Sequence, residues 1–445
     1  MEKDIATQLV EFAVKTKYED IPKEALEFTK RLALKTVSGM IAGSSKPSGQ
    51  KIAGIVKNKN YPQECVAIGS GFKTSLWEAS FLNAYCAHAS ELEDDRIYAG
   101  DGVSWDITVI PLLFPLAERL MLSGRGLVEA MAVGLEVHVR TCLSDCEHLQ
   151  QVLIPGAVGP AVGAAKALGL GFKETAGAFG LALSGAPLAL INSRTDAHFF
   201  ESALQSLQGI MAAEMAQEGL FGNPDIDRHL SNLIGKEKVQ RERMLKGLGK
   251  RWMLREIMIK KYPVCSHQHR QIDLVIELMK KHNLSYEEIK VIEVHASPAD
   301  TVCDNPAPKD ENELNFSFQH NLAVAMLDGD VGLERIIKEA VNDPKLKEAR
   351  AKVKFILHPE FSKIVAKEPG RIVIKTKDGG EFSGERMYPI GHPEEPLTLQ
   401  KFKELYVKFT QRKLAEKDIL ESADLILNLE KLDNIKELTD ILLCR

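Results

Sequence analysis

Four carboxylates fall within five residues, at Glu91, Glu93, Asp94 and Asp95, directly after an apolar stretch that holds Asn83, Cys86 and His88. Crowded anions repel, so solvent, a cation or a substrate must relieve them. The crowding also raises at least one carboxyl pKa towards the range where a general acid or base works. The plainer alternative is a solvated helix end. A second constellation is Lys260-Lys261-Tyr262-Pro263-Val264-Cys265-Ser266-His267-Gln268-His269. It combines a lysine able to hold negative charge with two histidines two residues apart, where a boundary between domains and hence a ligand cleft is expected. A third is Phe316-Ser317-Phe318-Gln319-His320, which leads into an apolar run. His320 is either a proton carrier or a hydrogen-bonded structural group.

Other patterns fall away. Gly69-Ser70-Gly71-Phe72-Lys73-Thr74 has Phe72 where a phosphate-cradling loop needs glycine. Gly169-Leu170-Gly171 lacks the preceding strand of a dinucleotide fold. Seven cysteines, at 65, 86, 142, 146, 265, 303 and 444, show no repeated short spacing of the kind that zinc or iron–sulfur sites need. No metal ligand set of recognisable spacing is therefore expected. A metal-assisted hydrolase would have to draw on the acidic cluster with His267 and His269.

The elements that must carry these residues are mostly helical up to about residue 260. Ile21-Pro22 opens a helix with Leu26, Leu32, Val37 and Ile41 on one face, and Gly43 suits its C-terminal cap. Residues 112–139 repeat the pattern, with a corner at Ser123-Gly124-Arg125-Gly126. Residues 156–190 are rich in Gly and Ala, which predicts closely packed helices in a buried central layer. After Tyr262-Pro263 the period changes to two: residues 292–296, 352–357 and 371–376 alternate as strands do, and Asp378-Gly379-Gly380 is a hairpin turn. The expected architecture is mainly α with an inserted α+β domain. Residues 1–261 and 393–445 form the helical domain, and 262–392 the inserted one.

A chain of 445 residues exceeds what one core usually organises. With 44% hydrophobic and 27% charged residues it is globular rather than disordered. Fifty-seven basic against 62 acidic side chains, a net charge of −5, leave no footprint for nucleic acid. The start of the sequence is charged, not an apolar leader, and no eighteen-residue apolar window crosses a membrane. A cytoplasmic location is expected.

Taken in order, these segments resemble the MmgE/PrpD family of 2-methylcitrate dehydratase-like proteins. The likeness runs nearly end to end. It covers Thr36…Gly39…Ala42-Gly43, Asn83…Ala87-His88-Ala89, Gly134-Leu135-Glu136-Val137 and Gly163-Ala164-Ala165-Lys166. It continues through Lys260…Tyr262-Pro263…Cys265…His269, Phe316-Ser317…Leu327-Asp328-Gly329 and Gly391-His392-Pro393. The resemblance implies a large all-helical domain, a smaller α/β lid, a homodimer, and a cofactor-free cleft. The chemistry implied is removal of a proton next to a carboxylate or carbonyl of a small organic acid. Loss of water, loss of carbon dioxide or epimerisation would follow. The alternative is a noncatalytic relative that binds a metabolite or scaffolds a complex.

Carried over by position, the resemblance implies catalytic roles for Asp94, His198, Lys260 and His320, and substrate-binding roles for His88, Glu91, Asp95 and His269. Lys260, His269, His88 and Asp94 match the family. Glu91 stands for an aspartate, Asp95 for a hydroxyl residue, His198 for a substrate-holding lysine and His320 for a tyrosine. Ile154 replaces a histidine, and a further histidine is missing from residues 96–109, where the loop carrying Asp101 and Asp106 is longer. With fewer cations and more anions in the cleft, the expected substrate is less anionic than methylcitrate.

Overall fold

Gly39 and Gly43 lie one helical turn apart on the Lys23–Ser44 helix, on the face that meets the Leu76–Ala89 helix. A Cβ on Gly43 would stand 1.8 Å from the carbonyl oxygen of Cys86, and one on Gly39 would stand 3.2 Å from the Ser90 hydroxyl. The two backbones therefore approach more closely than any larger residue permits. Gly43 is not the cap expected from the sequence: the helix runs on to Ser44, and the glycine serves the crossing. Lys35 sits one turn before Gly39 on the same face, so the close crossing delivers its ammonium to the loop after the second helix. The computed structural model describes residues 4–99, 106–142, 152–153, 156–185 and 188–444.

The same device recurs in the central layer. Gly134 of the Gly124–Thr141 helix faces Gly163 of the Val158–Ala167 helix, and Gly209 of the Asp196–Gln217 helix lies against Pro160. The Gly/Ala-rich region divides: residues Val158 to Ala165 are buried, whereas the following Phe172–Ala182 helix keeps Phe172 on the surface. The phosphate-loop lookalike is a hairpin. Cys65–Ala67 pairs antiparallel with Phe72–Thr74, and Gly69 and Gly71 take the positive φ angles, +73° and +77°, that the turn requires.

The protein is thus a large helical domain with a smaller α/β domain. The sheet of the latter runs in the order Val353–Leu357, Ile289–Ala296, Gly370–Thr376, Glu381–Arg386. The first pair is parallel and the others antiparallel, and Gly379 at φ +95° closes the final turn. Alternation along Gly370–Thr376 buries Ile372 and Ile374 against the His269–Lys281 helix, and the Phe318–Asp328 helix covers the neighbouring edge. Val275, Ile292, Leu322 and Ile374 belong to one apolar core; Leu9, Val37, Met131 and Ile210 belong to another. Leu405, Ile426 and Leu438 of the C-terminal helices join the second of these.

Candidate functional site

Four stretches meet: the loop after the Leu76–Ala89 helix, the segment from residue 260 into the His269–Lys281 helix, the start of the Asp196–Gln217 helix, and residues 312–316. The loop is fixed from below. Asp106 accepts the Asp94 N–H at 2.8 Å and the Thr36 hydroxyl, while Lys35 donates to the Leu92 carbonyl at 2.9 Å and stands 3.5 Å from Asp94 Oδ1. Asp94 in turn accepts the main-chain N–H of Lys260 at 2.7 Å. Asp95 accepts the Ser266 hydroxyl and the Ile97 N–H, and its backbone exchanges hydrogen bonds with Met258. Asp94 and Asp95 therefore tie the loop to the chain around residue 260.

Lys260 is fully buried. Its ammonium pairs with Glu93, donates to the Glu91 carbonyl at 3.3 Å and lies 3.6 Å from Glu91 Oε2. Glu91 has φ +55°, a left-handed conformation that costs of order 1–3 kcal/mol in a non-glycine residue. None of the four clustered carboxylates is more than 4% exposed, which rules out the solvated helix end.

Burial raises all four. Glu91, crowded further by Glu93, and Asp94, beside Asp106, are held well above the carboxylate range. Burial outweighs Lys260 at Asp95, and it leaves Glu93 at about 7 and Asp106 at about 6. Burial works against the charge on Lys260, but Glu93, Glu91 and Asp95 together outweigh it and raise its pKa.

His88 and His198 stack at 4.2 Å between ring centroids; His88 Nδ1 is 2.8 Å from the Ser202 hydroxyl and His198 Nε2 is 4.0 Å from Glu91 Oε1. Burial, helped by the charge on Lys260, pushes His198 down to about 3; burial and His198 push His88 well below its usual value. Both rings are neutral at pH 7. His269 is fully buried, its Nε2 3.2 Å from the Val264 carbonyl and its ring 5.2 Å from that of Tyr262.

The structure does not bring His320 to this cluster. Its Nε2 is 2.9 Å from the Arg335 carbonyl and its Nδ1 3.5 Å from the Arg350 guanidinium, inside the α/β domain. The helix N-cap Ser317 fixes its position, which favours the structural alternative. Ile154, Asp101 and Cys146 lie outside the described residues or side chains.

Sequence reasoning did not single out Lys35, Lys46, Asn315 or Cys265 as site residues. Lys46 is buried near Glu91 and Glu311, and its ammonium has no hydrogen-bond partner among the described residues. Asn315 is fully buried, and both polar atoms of its side chain likewise have none, while its carbonyl accepts the Cys265 N–H at 3.2 Å. A lysine before a helix-initiating proline and an asparagine one residue before the Phe316-Ser317 pair carry no local signal of this kind.

His88, Glu91 and His198 each offer a donor atom within 4.8 Å of the others, the one such group of three among the described residues. A cation there would share Glu91 with the Lys260 ammonium 3.6 Å away, and the two positive charges would oppose each other.

The arrangement is that of two matched domains with a polar cluster where they meet. The model of the MmgE/PrpD N-terminal domain matches residues 7–229 and that of the C-terminal domain matches residues 262–431. The chain belongs to the MmgE/PrpD family. It is similar to the cis-aconitate decarboxylase of Homo sapiens, 26% identical over 383 residues that cover 82% of this chain and 79% of that protein. It is also similar to a cis-aconitate decarboxylase of Aspergillus terreus, 24% identical over 482 residues, covering 99% of this chain and 96% of the relative.

Proposed function

We propose that this chain is a lyase or isomerase that removes a proton next to a carboxylate or carbonyl of a small organic acid, without a cofactor. Loss of water or of carbon dioxide, or return of the proton on the other face, would follow that step. The observation that carries the reading is the buried Lys260 ammonium, paired with Glu93, 3.6 Å from Glu91 and linked through Glu91 to His198. A preorganised cation in a dry site stabilises negative charge that develops on the substrate more than water can. Its pKa, raised by the carboxylates, keeps it charged. Asp94 and Asp95 position Lys260, and His88, Glu91 and His269 shape the binding surface. His198, neutral at pH 7, is suited to accept or donate a hydrogen bond rather than to carry a positive charge. His320 positions the α/β domain and is left out of the chemistry.

The charge balance selects the substrate. Five buried carboxylates, at residues 91, 93, 94, 95 and 106, face Lys35 and Lys260, which they already occupy. Lys46, buried near Glu91 with no hydrogen-bond partner for its ammonium among the described residues, can meet a substrate carboxylate, and Asn315 can add an amide donor. A mono- or dicarboxylic acid is therefore favoured over a tricarboxylate, since each unpaired buried carboxylate costs several kcal/mol. The division into 1–261 with 393–445 and 262–392, supported by the two apolar cores, belongs to this reading. So do a homodimer, which rests on the resemblance alone, and a cytoplasmic location, which rests on the sequence patterns alone.

The test is product detection by NMR after incubation with hydroxy and unsaturated mono-, di- and tricarboxylic acids. Conversion of a mono- or dicarboxylate at a higher kcat/KM than any tricarboxylate supports the reading. Saturable binding without conversion across the panel supports a noncatalytic metabolite binder instead.

A further inference from the structure

We propose that His295 and His358 form a binding site for one divalent copper or nickel ion on the sheet of the α/β domain, separate from the Lys260 cluster and independent of the reading above. The two histidines are 63 residues apart in the chain, so no spacing announces them. The fold joins them. Alternation along Ile289–Ala296 buries Ile292, Val294 and Ala296 and turns Glu293 and His295 outwards. Val353–Leu357 runs parallel beside that strand, and His358, which follows it, donates its main-chain N–H to the Ala296 carbonyl at 2.9 Å. This carries the second ring to the first: Nδ1 of His295 lies 2.8 Å from Nε2 of His358. The side chains are 26% and 27% exposed, so an ion can reach them with water completing its coordination.

Each outer nitrogen has a carboxylate beside it. His358 Nδ1 stands 3.0 Å from Glu360 Oε1, and its ring stacks on Phe361 at 4.4 Å between centroids; His295 Nε2 stands 3.9 Å from Glu293 Oε2. A carboxylate at the far nitrogen draws the ring proton there and leaves the near nitrogen as a lone-pair donor, which is how metal-ligating histidines are oriented. On binding, the ring that donates the N–H between the pair gives that proton up and takes one at its own outer nitrogen. Both inner lone pairs then turn to the ion, with no net loss of protons. At metal–nitrogen bonds of about 2.0–2.1 Å, nitrogens 2.8 Å apart subtend about 85–90° at the ion. That is the angle between neighbouring ligands of tetragonal copper(II) or nickel(II), whereas tetrahedral zinc would spread the pair. The cations of this face are already matched, Arg371 by Glu385 at 2.8 Å and Lys375 by Glu293 at 2.9 Å. Burial and the neighbouring His358, opposed by Glu293, hold His295 below its usual value, with Lys375 and Arg371 adding to the effect. Its ring is therefore neutral at pH 7 and able to ligate.

The experiment uses the full-length protein, treated with a chelator and then freed of it. Calorimetric titration with nickel(II) chloride at pH 7.5 should show a saturable equivalent that is lost in His295→Asn and in His358→Asn. Glu360→Ala, which removes only the carboxylate that orients the second ring, should weaken it about tenfold or more. An equivalent of copper(II) should give a tetragonal electron paramagnetic resonance spectrum coupled to two imidazole nitrogens, and to a single one in either histidine variant. Circular dichroism shows that the variants compared are folded. A wild type that takes up no saturable equivalent overturns the proposal. So does binding that is unchanged in both folded histidine variants, which would place the ion elsewhere, as on His88, Glu91 and His198. Neither result touches the lyase-or-isomerase reading, which is tested by turnover.

Discussion

Nζ of Lys260 lies 3.6 Å from Oε2 of Glu91, and that glutamate holds its left-handed backbone at φ +55° directly after the Leu76–Ala89 helix. The strain fits a residue placed for its side chain rather than for its turn. Lys260→Met would leave Glu91 and Glu93 buried without their shared cation. Removing one partner of a buried ion pair costs about 3–5 kcal/mol, which urea unfolding should register. Activity should fall by about a hundredfold or more. Lys260→Arg, which keeps the charge, should recover most of the stability and little of the rate, because its longer planar head cannot occupy the same point.

Glu93 supplies a pH test of stability. Its pKa is raised from 4.5 to about 7 by burial, so the folded protein holds a proton that the unfolded chain has released over that interval. Its contribution to stability is present in full below about pH 4.5 and is lost as pH rises to about 7. The buried histidines slope the other way: with pKa values depressed in the fold, as at His198, they favour folding as pH rises towards 6.5. The difference between wild type and Glu93→Gln isolates the glutamate. That difference in unfolding free energy should shift against the wild type between pH 4.5 and 7.

His88 and His198 should show no imidazole titration between pH 5 and 8. Histidine-labelled protein examined by NMR, with His198→Gln for assignment, should give flat ring shifts for both. A midpoint near 6.5 at either ring would mean that it is solvated or faces an anion more strongly than the buried stack allows.

Gly43→Ala places a methyl group 1.8 Å from the Cys86 carbonyl, so the Lys23–Ser44 and Leu76–Ala89 helices must separate. A loss of about 1–3 kcal/mol is expected, with a loss of activity as Lys35 withdraws from Leu92. Gly54→Ala is the control: it lies within the Pro47–Asn58 helix with nothing within 4 Å of the new carbon, and should stabilise by about 0.5–1 kcal/mol. Thermal melts of the two variants distinguish a packing requirement from a general aversion to change at helical glycines.

Periodicity revealed the elements well because it reports burial of a face. The strands at 292–296, 352–357 and 371–376 and the corner at Ser123 stand where the alternation and the turn residues put them. The Glu381–Arg386 strand is implied by its turn alone, since its outward residues Glu381, Ser383 and Glu385 are polar or charged and Gly384 interrupts the inward face. Gly43 departs from its expected use as a cap because a glycine near a helix end has two uses, and only the neighbouring helix reveals which applies. For the site, a run of four carboxylates announces chemistry but not its compensation. Lys35 and Thr36 reach the loop across a helix crossing, and Asp106 from the far end of that loop, so no spacing encodes them. His320 shows the converse, a histidine at the head of an apolar helix whose ring is taken up by Arg335 and Arg350.

The most direct test of the account is the rate at which solvent deuterium enters the carbon next to the carboxylate of the best organic acid, measured for wild type and Lys260→Met at equal folded concentration. Exchange by the wild type and a loss of about a hundredfold or more in the variant are expected. Equal exchange by the two proteins would contradict this, for the buried ammonium would then have no part in holding the charge left when the proton departs.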